Sequence, residues 1–208
     1  MKTNFIFNIM ILTKLKESTK EQHKALEFVV DIMRPDLTLA QYRRLLTKFY
    51  IFYAAIEAAL PEELLRRNGL ELCERRKLPA LEKDMQVLGV FDPKAETGIG
   101  SPDIPLLNTA GKGFGAAYVL EGSTLGGQII LRHLRSTLSV DTESGAAFFS
   151  SYGPNVGKMW REFGTAITIF AERNSVDDEI VDAAKATFDS FRQFLERPAS
   201  RPNIITTY

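Results

Sequence analysis

Large apolar residues recur at three- and four-residue steps along most of this chain. Between positions 38 and 60 they fall at Tyr42, Leu45, Leu46, Phe49, Phe52, Tyr53, Ile56 and Leu60, one face of an amphipathic helix. Thr38 with Gln41 three residues on has the form of a capping box, and Pro35 closes the helix before it. That earlier helix, about 14–33, carries Leu15, Thr19, His23, Leu26, Val30 and Met33 at similar steps. Two later stripes predict further helices: Val156, Met159, Trp160, Phe163, Ile167 and Phe170, then Ile180, Ala184, Phe188, Phe191 and Leu195. Asn174 and Ser175 separate them, and Asp177, Asp178 and Glu179 follow as the acidic first turn that a helix N-terminus favours. A shorter helical stretch near 80–89 leads into a loop, 91–108, holding three prolines and two glycines. No segment alternates with period two. The pattern predicts an all-α single domain over 14–197, an N-terminal extension over 1–13 and a loose Pro-rich tail over 198–208.

Composition narrows the function. The 208 residues hold 26 basic and 26 acidic side chains, which excludes a nucleic-acid binder working by broad electrostatics. One cysteine, Cys73, excludes a disulfide framework and multi-cysteine metal sites. Two histidines, His23 and His133, exclude a three-histidine centre. The apolar run at 4–12 is shorter than the roughly 20 residues that span a bilayer and lacks a secretory cleavage site. It reads as an extension or an alternative start ahead of Met10. A cytoplasmic, soluble protein with no membrane partner is expected.

Two local patterns carry chemistry. Six glycines fall within 111–127, GKGFGAAYVLEGSTLGG, inside an otherwise helix-like stretch continuing to about 138. In a helix interior Gly122, Gly126 and Gly127 together cost about 3 kcal/mol relative to alanine. With Ser123 they cover an arc of about 140°, a bare strip fit for a flat ligand or for close helix packing. The second pattern is Lys16, Lys20, His23 and Glu27, within an arc of about 60° on one helix face. A lone histidine is a weak zinc site but suffices for haem, whose macrocycle supplies four ligands. The alternative is an ordinary half-exposed histidine beside solvated lysines. His133, between Arg132 and Arg135, reads as a surface or helix-end residue.

LKESTKEQHKALE (15–27) resembles the proximal-helix motif of haem oxygenases, and FYIFYAAIEAAL (49–60) resembles the Tyr-rich helix that follows it there. YVLEGSTLGGQII (118–130) is similar to the distal helix of bacterial haem oxygenases, particularly those found with bacterial phytochromes. The resemblance implies a helical fold with haem between a proximal helix and a kinked Gly-rich distal helix. His23 would be the iron ligand and Glu27 the partner orienting it. Lys16 and Lys20 would neutralise the propionates, with Tyr118 and, on a looser match, Arg161 as further propionate contacts. Gly122, Ser123, Gly126 and Gly127 would form the distal wall. Mammalian members carry an aspartate where this chain has Ser123, so Tyr53 and main chain are the candidates for holding distal water.

The activity so implied is oxidative cleavage of haem b, both substrate and cofactor, by O2 and reducing equivalents. A ferric hydroperoxide attacks a meso carbon, giving biliverdin, carbon monoxide and Fe(II). No flavin or nicotinamide motif is present, so an external electron donor, a ferredoxin or a reductase, is expected. A bacterial phytochrome is a candidate recipient of the biliverdin, with iron acquisition as the alternative purpose. Two rival readings are a haem carrier without turnover and a helical interaction module whose glycines serve packing alone.

Overall fold

The computed structural model describes residues 10–93 and 98–198, so most of the expected N-terminal extension and C-terminal tail lies outside the described residues. These residues form nine α-helices and no strand: α1 (Met10–Ser18), α2 (Lys20–Val30), α3 (Leu39–Ala59), α4 (Glu62–Arg67), α5 (Leu78–Val87), α6 (Ala110–Gly122), α7 (Gly127–Leu138), α8 (Val156–Asn174) and α9 (Asp177–Glu196). Two short 3-10 turns, Phe148–Ser150 and Gly153–Asn155, lead into α8.

Local chemistry sets several boundaries. Thr38 closes its capping box on Gln41, whose N–H donates to Thr38 Oγ1 at 3.3 Å while Thr38 N–H donates to Gln41 Oε1 at 2.9 Å. The helix expected over 14–33 begins at Met10, which draws residues 10–13 out of the supposed extension and buries Ile11. It divides at Thr19, yet the backbone bonds Thr19 to Leu15 and His23 to Thr19 (both 2.9 Å) carry the helical pattern across. It stops at Val30 because Asp31 turns left-handed, with φ of 41°. The stretch 111–138 is not one helix. α6 ends at Gly122, residues 123–126 turn, and α7 starts at Gly127, so these glycines escape most of the interior-helix cost.

The core has two lobes. One joins Tyr42, Phe49, Phe52 and Tyr53 of α3 to Leu131 and Leu134 of α7, Phe148, and Phe191 and Phe194 near the end of α9. Here the Phe52 and Phe191 rings stack with centroids 4.1 Å apart. The other joins Leu15, Phe114, Phe163, Ile167, Ile180 and Phe188 from α1, α6, α8 and the start of α9. α9 serves both lobes and lies closely along α6. Gly115 makes that approach feasible, since a Cβ there would overlap the Ile180 carbonyl and sit 2.8 Å from Ala183 Cβ. Buried Lys48 donates to the carbonyls of Leu195 and Arg197, satisfying acceptors that a helix C-terminus leaves open.

Candidate active site

α9 backs two neighbours that between them carry the chemistry. One is α2, whose His23 ring meets Phe188 of α9 edge-on at 5.8 Å. The other is α6, which packs along α9 and ends in the bare turn. Tyr118 of α6 is half-buried beside Trp160, and burial pushes its phenol above the ordinary range, with Thr19 at the α1–α2 junction pulling it back.

Leu15 and Thr19 are buried on the inner face of these helices, whereas Lys16, Lys20, His23 and Glu27 are exposed along the adjoining face, about a quarter-turn round. His23 Nδ1 faces Glu27 Oε2 at 3.4 Å. A carboxylate beside Nδ1 favours the tautomer with its proton there, leaving the Nε2 lone pair for a metal. The common face anticipated for these four residues is therefore present. His133 differs from expectation: it is half-buried, and its Nε2 pairs with the Arg34 carbonyl at 3.1 Å. Arg161 is exposed on α8, and its guanidinium lies back over Gly157. The ring of its neighbour Trp160 is 6.0 Å from that of Tyr118. Among the described residues no group of three or more His, Cys, Asp or Glu could hold a metal ion. A lone imidazole thus requires a metal whose remaining ligands come from elsewhere.

The glycines separate into two kinds. A Cβ at Gly122 or Gly126 would meet nothing within 4 Å. Gly127 behaves otherwise: a Cβ there would overlap the Phe149 carbonyl oxygen, so this residue packs α7 onto the 148–150 turn. That corrects the expectation that Gly127 belongs to an open wall. Gly111, Gly113 and Gly115 are likewise packing positions, against Glu179, Pro61 and α9. The bare surface is Gly122 and Gly126, with exposed Ser123 between them. Tyr53, fully buried on α3, donates to Ser123 Oγ at 3.1 Å, and Ser123 donates on to the Leu120 carbonyl at 2.7 Å. Burial pushes the Tyr53 phenol well above its ordinary range, so it remains a proton-bearing donor. A flat macrocycle suits such a surface, because nothing beyond main chain rises from it at the two glycines.

A neighbouring group escaped the sequence reading. Glu121, immediately before Gly122, is buried among Arg75, Lys77 and Tyr152. The available signal was a lone acid closing the uncharged run GFGAAYVL, since an ionised side chain on such a stretch needs buried partners.

The family model described as Heme oxygenase matches residues 10–197. A heme oxygenase from Xanthomonas campestris pv. campestris is 26% identical over 161 residues, covering 76% of this chain and 90% of that protein. The NO- and CO-bound heme oxygenase structures from Neisseria meningitidis superpose with a TM-score of 0.74 at 20% identity, covering 92% of this chain and 97% of that one. Heme oxygenase from Leptospira interrogans gives 0.71 at 22% identity, covering 89% and 98%.

Proposed function

The chain belongs to the haem oxygenase family and is a haem-degrading enzyme; on that premise we propose that haem b lies between His23 and the bare main chain at Gly122 and Gly126. The observation that carries this reading is the open space above both glycines, paired with an exposed imidazole whose Nδ1 faces Glu27 at 3.4 Å. Haem would supply the redox chemistry when bound, and a neutral imidazole would push less electron density on to it than a thiolate does.

The chain's own groups then have separable tasks. His23 fixes the iron through Nε2, and Glu27 fixes the ring. Lys20 and Lys16, one and two turns back on the same face, meet the propionates, with Tyr118 and Arg161 as further contacts. Gly122 and Gly126 leave room over the iron without placing an acid there. Tyr53 holds Ser123, and the pair would anchor a water placed to hand on protons at the open side of the turn. Electrons come from a separate donor of the ferredoxin or reductase class. The products are biliverdin, carbon monoxide and Fe(II). The YVLEGSTLGG motif supports the bacterial type found with phytochromes, to which the biliverdin would pass.

Titration with hemin, then reduction with ascorbate under air and chromatography of the product, tests the reading. A saturable Soret band followed by biliverdin is expected. Hemin bound without bilin would identify a carrier, and no saturable band would leave only helix packing.

A further inference from the structure

Behind the bare turn sits a buried ionic cluster with no part in the steps above. Glu121 Oε2 accepts from Arg75 at 2.6 Å, and Oε1 accepts from Lys77 Nζ at 2.9 Å and from the Tyr152 hydroxyl at 2.7 Å. Lys77 Nζ also donates to the Arg75 carbonyl at 2.6 Å, and Arg75 reaches the Met159 carbonyl on α8 at 3.2 Å. Lys77 and Glu121 are 1% and 3% exposed. The backbone N–H of the same lysine donates to Glu57 Oε1 at 2.6 Å. Glu57 is one helical turn beyond Tyr53 on α3, and Glu121 is two residues before Ser123 on α6. One residue therefore ties together the two helices that the Tyr53–Ser123 hydrogen bond spans.

Stability alone is a poor reason for such a cluster. Desolvating several ionised groups offsets most of their attraction, and well-packed apolar replacements are often as stable. Tyr152 adds to the cost, since its backbone sits left-handed at φ of 63°, a conformation that persists in a bulky residue only where its surroundings enforce it. What the cluster supplies is a fixed geometry with many partners, located at the residue that precedes the open glycine. Resting on the haem slot proposed above, we infer that Lys77, with Glu121, Arg75 and Tyr152, is a positioning clamp. It fixes the end of α6 against α3, and so sets where Gly122 and the Tyr53–Ser123 pair stand relative to the porphyrin.

The test compares wild type with Lys77→Met, which removes the ammonium but keeps the bulk and the N–H to Glu57. Hemin affinity is expected to stay within about threefold, while turnover falls by about tenfold to a hundredfold, as misplacement by an ångström does. The mixture of biliverdin isomers is expected to broaden. Wild-type turnover with an unchanged isomer pattern would overturn the clamp, and so would parallel losses of affinity and turnover, which mark a purely structural role. Should Lys77→Met fail to fold, Tyr152→Phe carries the test, since it keeps both charges paired. The same split is expected there at a few-fold, and an unchanged product pattern counts against the clamp. Wild type yielding no bilin would remove the haem oxygenase reading separately. The clamp would then be judged on the hemin Soret band itself, expected to shift and broaden in Lys77→Met and to match wild type if the inference is wrong.

Discussion

The Tyr53 hydroxyl donates to Ser123 Oγ at 3.1 Å, joining a fully buried phenol on α3 to the exposed turn between α6 and α7. Ser123 in turn donates to the Leu120 carbonyl of α6, so the two bonds fix the Ser123 oxygen from both sides and leave it room to accept one more donor from the open side. Removing that phenol oxygen should leave hemin uptake near wild type and slow bilin formation by about tenfold, below the roughly 10²- to 10⁴-fold of a group that transfers the proton itself, because Tyr53 acts through Ser123. Tyr53→Phe should also lower folding stability by about 1 kcal/mol, the net value of one hydrogen bond. Parallel hemin titration, single-turnover kinetics and urea unfolding check all three.

His23→Ala is expected to abolish the imidazole-ligated hemin spectrum and bilin formation together, with added imidazole restoring part of both. Glu27→Gln should be milder. The 3.4 Å approach is solvent-exposed, so its effect belongs at or below the low end of the roughly 10- to 100-fold seen when partners of metal-bound histidines are changed. A normal imidazole spectrum in His23→Ala would move the ligand elsewhere.

The two kinds of glycine make opposite predictions. Gly127→Ala drives a methyl into the Phe149 carbonyl and should destabilise the fold by about 1–3 kcal/mol, read by thermal unfolding without haem. Gly126→Ala meets open space and should leave the apoprotein close to wild type. Gly126→Phe should still bind hemin but lose oxygen activation. Equal stability losses at 126 and 127 would contradict the division.

Much of this fold was legible in the sequence. The α3 helix follows from its three- and four-residue apolar steps and the Thr38–Gln41 box, and the exposed Lys16, Lys20, His23 and Glu27 face from spacing on a helix. The roles of the glycines were not legible. Gly126 and Gly127 are adjacent, and what separates them is the Phe149 carbonyl, brought in from 22 residues further along the chain. The break at 123–126 is the kinked distal helix that the family resemblance implied; helical periodicity alone ran straight through it, since local preference cannot see the turn that Tyr53 holds from α3. Lys77 and Arg75 sit in a charged loop that reads as solvated until α6 delivers Glu121.

Asp84 gives the pH prediction. Fully buried, it accepts N–H bonds from Ala147 at 2.7 Å and Phe148 at 2.9 Å, bracing the turn whose Phe149 carbonyl meets Gly127. Desolvation outweighs those bonds and pushes its carboxyl up to about 6. Between the unfolded value near 3.8 and about 6 the native state holds the extra proton, so this group's contribution to stability falls as pH rises through that window. The stability of wild type relative to Asp84→Asn should therefore be greater at pH 4 than at pH 7, measured by denaturant unfolding at each. A difference that grows with pH would contradict the assignment.

The most direct measurement is a crystal structure of the hemin complex. The account predicts iron bound to His23 Nε2, with the main chain of Gly122 and Gly126 against the opposite porphyrin face and the propionates towards Lys16 and Lys20. Iron ligated by His133, or hemin seated anywhere other than between α2 and the α6–α7 turn, would contradict it.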